Sequence, residues 1–280
     1  MNHLFSNFEK KQEYLICIDS DGCAIDSMDI KHFRCFGPCM IDEWHLEDNG
    51  EEILNRWNQI NLYSMTRGIN RFKGLAKALV EIDQEYLPVE DVRTLAEWTQ
   101  TSDELSNAAL KRAIEMTGSI CLKKALRWSE AVNEAITRLP EVDVTPFRHV
   151  RECISLLHKT CDIAIVSSAN YEAVKDEWSR FGLLDHVDIL LAQNAGSKSS
   201  CIAKLLSYGY QSDHVLMVGD APGDMAAAEA NNVFYYPILV RKETESWEQL
   251  EKSVQKMKNG TFAGKHQNEL KKQFTENLTI

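Results

Sequence analysis

The amino-acid sequence predicts an α/β protein: a doubly wound parallel sheet, interrupted after its first strand by an all-helical insertion. Three observations carry this expectation. Short apolar runs alternate with helical segments between about residues 145 and 240. A single run of the same kind, Tyr14 to Ile18, stands apart near the N-terminus. From about 28 to 140, apolar residues recur at three- and four-residue spacing, with no alternating strand pattern.

Taken in order, YLICI (Tyr14 to Ile18) reads as a short buried strand. Helical spacing follows at Ile53-Leu54-Trp57, Phe72-Leu75-Leu79, Val92-Leu95-Trp98, Leu105-Ala109-Arg112 and Leu122-Leu126-Ala131-Ile136. Thr101-Ser102-Asp103-Glu104 supplies capping residues before one of these helices. The helical block stops at Leu139-Pro140, and Thr145-Pro146 is expected to open a new helix with proline near its first position. Asp162 to Val166 (DIAIV) is a strand, and Tyr171 to Phe181 a helix ending at Gly182. Val187 to Leu191 is a strand and Lys198 to Tyr208 a helix; His214 to Val218 (HVLMV) is a strand and Pro222 to Ala230 a helix. Val233 to Tyr236 is a last strand, with one more helix expected after about 243. Strands joined by helical crossovers lie parallel. The expected domains are 1–27 with 143–260 as the α/β core, 28–142 as the helical insertion, and 261–280 as a polar C-terminal tail.

Bulk properties exclude several function classes. Net charge is −11 and pI about 5.3, against the basic surface that phosphate-backbone binding needs, so no nucleic-acid partner is expected. A local positive pocket for a small anion is compatible with that balance. No run of about 18 apolar residues exists, so no membrane span is expected. MNHLFSNFEKKQEYL lacks a long apolar run before a small-residue site and does not read as a signal peptide. Eight irregularly spaced cysteines, mostly in apolar stretches, suit reduced thiols in a cytoplasmic core.

Ligands of open α/β sheets bind beyond the carboxyl ends of the strands, and the polar residues of this chain collect there. The first strand ends in Asp19-Ser20-Asp21-Gly22, DIAIV in Ser167-Ser168, and HVLMV in Gly219-Asp220-Ala221-Pro222-Gly223-Asp224. One acid at a strand end is explained by helix capping; four acids at two strand ends are not. Asp19 and Asp21 stand at the two-residue strand period, so both side chains can point the same way. Four converging carboxylates repel unless a cation neutralises them, and oxygen donors suit a hard divalent ion such as Mg²⁺.

The ordered set resembles the haloacid dehalogenase superfamily of phosphohydrolases. Asp19-Ser20-Asp21-Gly22-Cys23-Ala24-Ile25-Asp26-Ser27 matches its first motif, D-x-D-G-[TC]-x-x-D-[ST]. Ser167 matches its second, Lys198 its third, and Gly219-Asp220 through Asp224 its fourth, G-D-x-x-x-D. The insertion resembles the superfamily's helical cap of the first type. The resemblance implies a Mg²⁺-dependent phosphatase of a small phosphorylated metabolite, working through an aspartyl-phosphate. In it Asp19 is the nucleophile and Asp21 the proton shuttle, while Ser167 and Lys198 hold phosphoryl oxygens. The metal falls to Asp19, the Asp21 backbone carbonyl, Asp220 and Asp224. A cap that opens for substrate and closes against water is implied with it. Ser168 is the rival to Ser167, and a solvated helix-start lysine is the plain reading of Lys198.

Rival functions keep the same motifs: a phosphomutase or phosphonatase, or a binding module without turnover. A phosphonatase needs a Schiff-base lysine in the cap, where Lys31 and Lys73 are the candidates. The basic stretch RGINRFKG offers Arg67 and Arg71 as substrate contacts from the cap. His32, Cys35, Cys39 and His45 raise the question of zinc, but their spacing matches no finger pattern and aromatic residues interleave them. Trp57, Trp98 and Trp128 read as core.

Overall fold

The structure, a computed structural model, describes Phe5 and residues 8–279. The N-terminal stretch read against a signal peptide lies partly outside the described residues. The chain divides into two compact units: Val144 onward together with the segment up to Ser27, and Met28–Asp143.

The first unit begins with β1 (Leu15–Ile18), whose four residues are all buried, followed by the two-residue β2 (Ile25–Asp26). The chain then forms the helical unit: α1 (Met28–Lys31), a π-helical turn over His32–Phe36, α2 (Gly37–Trp44), α3 (Gly50–Leu62), α4 (Arg71–Glu85), α5 (Val92–Thr101), α6 (Asn107–Thr117) and α7 (Ile120–Thr137). It returns through β3 (Thr145–Pro146), α8 (Val150–Leu157), β4 (Asp162–Val166), α9 (Tyr171–Arg180), β5 (Ile189–Leu191), α10 (Lys198–Leu206), β6 (Val215–Gly219), α11 (Pro222–Ala230), β7 (Phe234–Pro237), α12 (Glu243–Lys258) and α13 (Lys265–Asn277).

The five long strands form one parallel sheet in the order β5-β4-β1-β6-β7. The expected α/β class is thus the observed one. Central parallel strands carry helices on both faces, so they read as unbroken apolar runs, as LICI and the IAIV of β4 do. From β1 the chain builds outward to β4 and β5, then crosses back to β6 beside β1. The order therefore reverses between β1 and β6, and a crevice at that point opens at their carboxyl ends. Ile18 is level with Ile165 and Val218, which brings Asp19, Ser167 and Gly219 to one edge of the sheet.

Local chemistry starts the helices. Asn70, Ser106, Ser119, Asn170 and Ser197 each accept a first-turn backbone N–H, of Phe72, Ala109, Leu122, Glu172 and Ser200 respectively. The cap expected at Thr101–Glu104 sits instead at Ser106. The helical unit has its own core around Phe36, Trp57, Phe72, Leu95, Leu110 and Trp128. Trp57, Trp98 and Trp128 pack in it as expected, Trp128 also donating to the Phe36 carbonyl at 3.1 Å.

Two further expectations are corrected. Thr145-Pro146 does not start a helix: it pairs antiparallel with Ile25-Asp26, Ile25 opposite Pro146, and α8 begins at Val150. A proline at a strand edge needs no N–H of its own, which permits either role. The segment expected as a polar tail, as far as it is described (261–279), is not one. Its helix α13 packs on β7, with Phe274 buried and Gln267 bonded to both backbone groups of Tyr235 at 2.8 Å. Among the described residues, no helix is long and apolar enough to cross a membrane.

Candidate active site

β1 and β6 deliver their acids side by side at the reversal of strand order. Asp19 follows the last residue of β1, and its N–H donates to the Val218 carbonyl of β6 at 3.0 Å. Its Oδ1 accepts from the Ser20 N–H at 2.8 Å, and its Oδ2 lies 2.6 Å from the Lys198 ammonium. Lys198 opens α10, and its Nζ also donates to Asp224 Oδ1 at 2.5 Å. Asp224 lies in the first turn of α11, and its Oδ2 accepts from the Ala221 N–H at 3.0 Å. One carboxylate thus caps a helix and holds the lysine. Gly219 makes room for it: a Cβ there would fall 2.3 Å from Asp224 Cγ.

Asp19, Asp220 and Asp224 are all buried, and each offers a carboxylate oxygen within 4.8 Å of the others. Three carboxylates against one ammonium leave an excess of negative charge in a desolvated place. Burial, opposed by Lys198 and aided by Asp224, pushes the Asp19 carboxyl up to about 7. Burial raises Asp224 too, against Lys198 and with Asp220. Burial alone would lower the Lys198 ammonium, but Asp19 and Asp224 outweigh it and hold the group charged. An all-oxygen, buried and over-negative donor set fits a hard divalent cation.

Asp21 keeps different company. Its Oδ1 accepts from Ser27 Oγ at 2.5 Å, and it is partly exposed where Asp19 is buried. The two-residue strand period does not govern the pair, because the strand ends at Ile18 and the chain turns, with Gly22 at φ 75°. The Ser20 carbonyl gathers the N–H groups of Cys23, Ala24 and Ile25 and closes this turn.

Ser167 follows the last residue of β4, buried, its N–H on the Leu191 carbonyl and its Oγ accepting from the Ala169 N–H at 3.1 Å. Ser168 is exposed. Arg67 and Arg71 are engaged inside the helical unit. Arg67 is buried and donates to the Leu62 carbonyl, while Arg71 donates to Asn133 Oδ1 at 2.7 Å and lies over the Phe36 ring. Lys31 ends α1, and Lys73 lines a groove of about 580 Å³ with Lys77 and Gln100. His32 Nδ1 accepts from Trp57 Nε1 at 3.1 Å, and His45 ends α2 in the left-handed conformation.

Four partners of the acid-bearing loops carry no sequence signal of their role. Ser27 lies within the first motif but reads there as stem. Trp178 Nε1 donates to Ser20 Oγ, Trp247 Nε1 to the Cys23 carbonyl, and Tyr235 Oη to the Gly219 carbonyl. Burial and the nearby acids hold the Tyr235 phenol well above its ordinary range, so it remains a donor.

Residues 76–237, more than half of the chain, match the family model described as haloacid dehalogenase-like hydrolase. The match spans Ser167, Lys198, Asp220 and Asp224 and begins after Asp19 and Asp21. Among solved structures, the chain is similar to a Lactobacillus delbrueckii protein provisionally described as a phosphoglycolate phosphatase: 13% identity, 87% of this chain and 99% of that one covered, TM-score 0.53. A Pseudomonas syringae hydrolase is 18% identical over 81% of this chain and 84% of its own, TM-score 0.49. A haloacid dehalogenase-like family protein of Streptococcus pneumoniae is 11% identical over 84% and 90%, TM-score 0.44. At these identities the likeness is one of fold. No curated protein matches the chain in sequence.

Proposed function

Because the chain belongs to the haloacid dehalogenase-like hydrolases, we propose that its site hydrolyses the phosphate monoester of a small metabolite with the help of Mg²⁺. One observation carries this. A lysine ammonium bridges two buried aspartates beside a third, while a further aspartate two residues from the first has its own partner.

Asp19 Oδ2 attacks phosphorus as the bond to the leaving oxygen breaks, and Asp21 gives that oxygen its proton. Water then attacks the aspartyl-phosphate, passes its proton to Asp21, and releases inorganic phosphate with Asp19 restored. Lys198 and Ser167 stand at the same sheet edge to hold phosphoryl oxygens. Asp19, Asp220, Asp224 and the Asp21 carbonyl would hold Mg²⁺, which supplies positive charge against the phosphoryl oxygens when bound. A cytoplasmic setting belongs to the proposal, since eight irregularly spaced cysteines, mostly in apolar stretches, suit thiols that a reducing compartment keeps reduced.

The test is phosphate release from a panel of phosphorylated metabolites with Mg²⁺. Asp19→Asn should abolish it, and Asp21→Asn should lower kcat by about 10²–10⁴-fold, the usual share of acid–base help. No release by the wild type from any member, with Asp19→Asn indistinguishable from it, defeats the proposal. Product analysis separates hydrolysis from phosphoryl transfer to a second hydroxyl, and a phosphonate substrate tests the phosphonatase.

A further inference from the structure

Three buried aromatic side chains, from three different elements, aim their hydrogen-bond donors at residues next to or near the acids. Trp178 of α9 donates from Nε1 to Ser20 Oγ at 2.9 Å, and Ser20 stands between Asp19 and Asp21. Trp247 of α12 donates from Nε1 to the Cys23 carbonyl at 2.9 Å, two residues past Asp21. Tyr235 of β7 donates from Oη to the Gly219 carbonyl at 3.0 Å, one residue before Asp220. All three rings are essentially inaccessible to solvent. Tyr235 is itself held on both backbone groups by Gln267 of α13. Helices α12 and α13 lie beyond the residues that match the family model, so two of these supports involve parts of the chain outside that match.

Buried indole and phenol donors generally find some acceptor. Tyr236 shows the ordinary case: next to Tyr235 on β7 and also buried, it donates to the Ser246 carbonyl at 2.6 Å, on no acid-bearing loop. The other three end on the turn after β1 (Trp178 and Trp247) or on the final residue of β6 (Tyr235). The turn after β1 lies past the last strand residue, where the ladder no longer fixes the backbone. Gly219 is the last strand residue before Asp220, and its carbonyl accepts from the Ile238 N–H at 2.9 Å as well as from Tyr235. We propose that Trp178, Tyr235 and Trp247 are positioning residues of the reaction centre, each fixing a group within two residues of Asp19, Asp21 or Asp220. The inference rests on the phosphatase reading above.

The test uses full-length protein and removes one donor at a time: Trp178→Phe, Trp247→Phe and Tyr235→Phe, with Tyr236→Phe as the matched control. Ser20→Ala removes the Trp178 contact from the loop side, without a core cavity. Mg²⁺ affinity is measured by calorimetry without substrate, kcat and KM with p-nitrophenyl phosphate, and stability by melting. Tyr235→Phe should weaken Mg²⁺ binding by up to about 10–100-fold, the scale of losing a hydrogen bond that orients a metal ligand, acting here through Gly219 on the adjacent Asp220. Trp178→Phe, Ser20→Ala and Trp247→Phe should lower kcat about 10–100-fold with KM kept, since a displacement near 1 Å has that scale of effect. They should also weaken Mg²⁺ binding, because Asp19 and the Asp21 carbonyl are among its ligands. Tyr236→Phe should lose stability only. If the donor variants melt lower yet keep kcat and Mg²⁺ affinity, or Tyr236→Phe falls as far as Tyr235→Phe, the assignment is wrong while the phosphatase reading stands. A wild type that neither binds Mg²⁺ nor releases phosphate overturns both.

Discussion

Asp19 is asked to be a nucleophile in the place least suited to a charge. Its carboxyl binds a proton more tightly in the folded chain than in the unfolded one. The metal-free protein should therefore lose stability as pH rises from the ordinary aspartate value, about 3.9, to about 7. Added Mg²⁺ should restore it, most strongly at the upper end; melting curves at pH 5 and pH 8, with and without the ion, check this. The same logic applies to activity. The acid limb of the pH profile should move to lower pH as Mg²⁺ is raised, because a cation beside Asp19 opposes burial. Asp220→Asn removes one of the charges that raise Asp224, so it should increase the metal-free melting temperature by about 2–4 °C per kcal/mol relieved. It should also abolish the Mg²⁺ response. The acids themselves were legible in the sequence, because a carboxylate ending a buried strand has no packing use. Their supports were not. Trp178 meets Ser20 across 158 residues and Trp247 meets Cys23 across 224, and no local pattern records such a partner.

Among the elements, the strands and crossovers of the core were readable because parallel strands are apolar on both faces and end in polar turns. Helix α13 was not, since its thirteen residues bury only Gln267 and Phe274. A lysine- and glutamate-rich stretch with so narrow a buried face looks like a solvated tail. Yet Gln267 does the work of a neighbouring strand, pairing Tyr235 N–H and C=O at the sheet edge. Gln267→Leu should cost about 1–3 kcal/mol through the two backbone groups left unmet, and should speed amide exchange at Tyr235. At the opposite end of the strands, Asp188 ties β4 to the N-terminal segment. Its carboxylate accepts from the Ile163 N–H and Lys11 Nζ at 2.9 Å, with His158 at 3.2 Å. Burial pushes this carboxyl up, but those partners outweigh it and hold it below the usual range. Its contribution is thus complete above the ordinary carboxylate value and is lost as pH falls through the depressed one. Asp188→Asn should cost about 1–3 kcal/mol at neutral pH and progressively less under strong acid, by denaturant titration.

At the scale of the whole chain, each unit owns a core. Four of the six tryptophans, Trp44, Trp57, Trp98 and Trp128, belong to Met28–Asp143. Residues 28–143 expressed alone should give a helical circular dichroism spectrum with a cooperative melt. A chain without that cooperativity would show that the insertion depends on the rest of the protein. Tryptophan fluorescence of a Trp178→Phe, Trp247→Phe double variant would report that unit alone.

The pairing of Ile25-Asp26 with Thr145-Pro146 puts the two ends of the insertion side by side as adjacent antiparallel strands. Strands so paired can be joined by a two-residue hairpin turn. To the sheet, the intervening residues are a long version of such a turn, so this position is a socket. A helical module of another size could be plugged in there, or the socket closed with Asn-Gly, without changing a single register in the five-stranded sheet. Specificity and chemistry could then be inherited separately, by exchange at one seam.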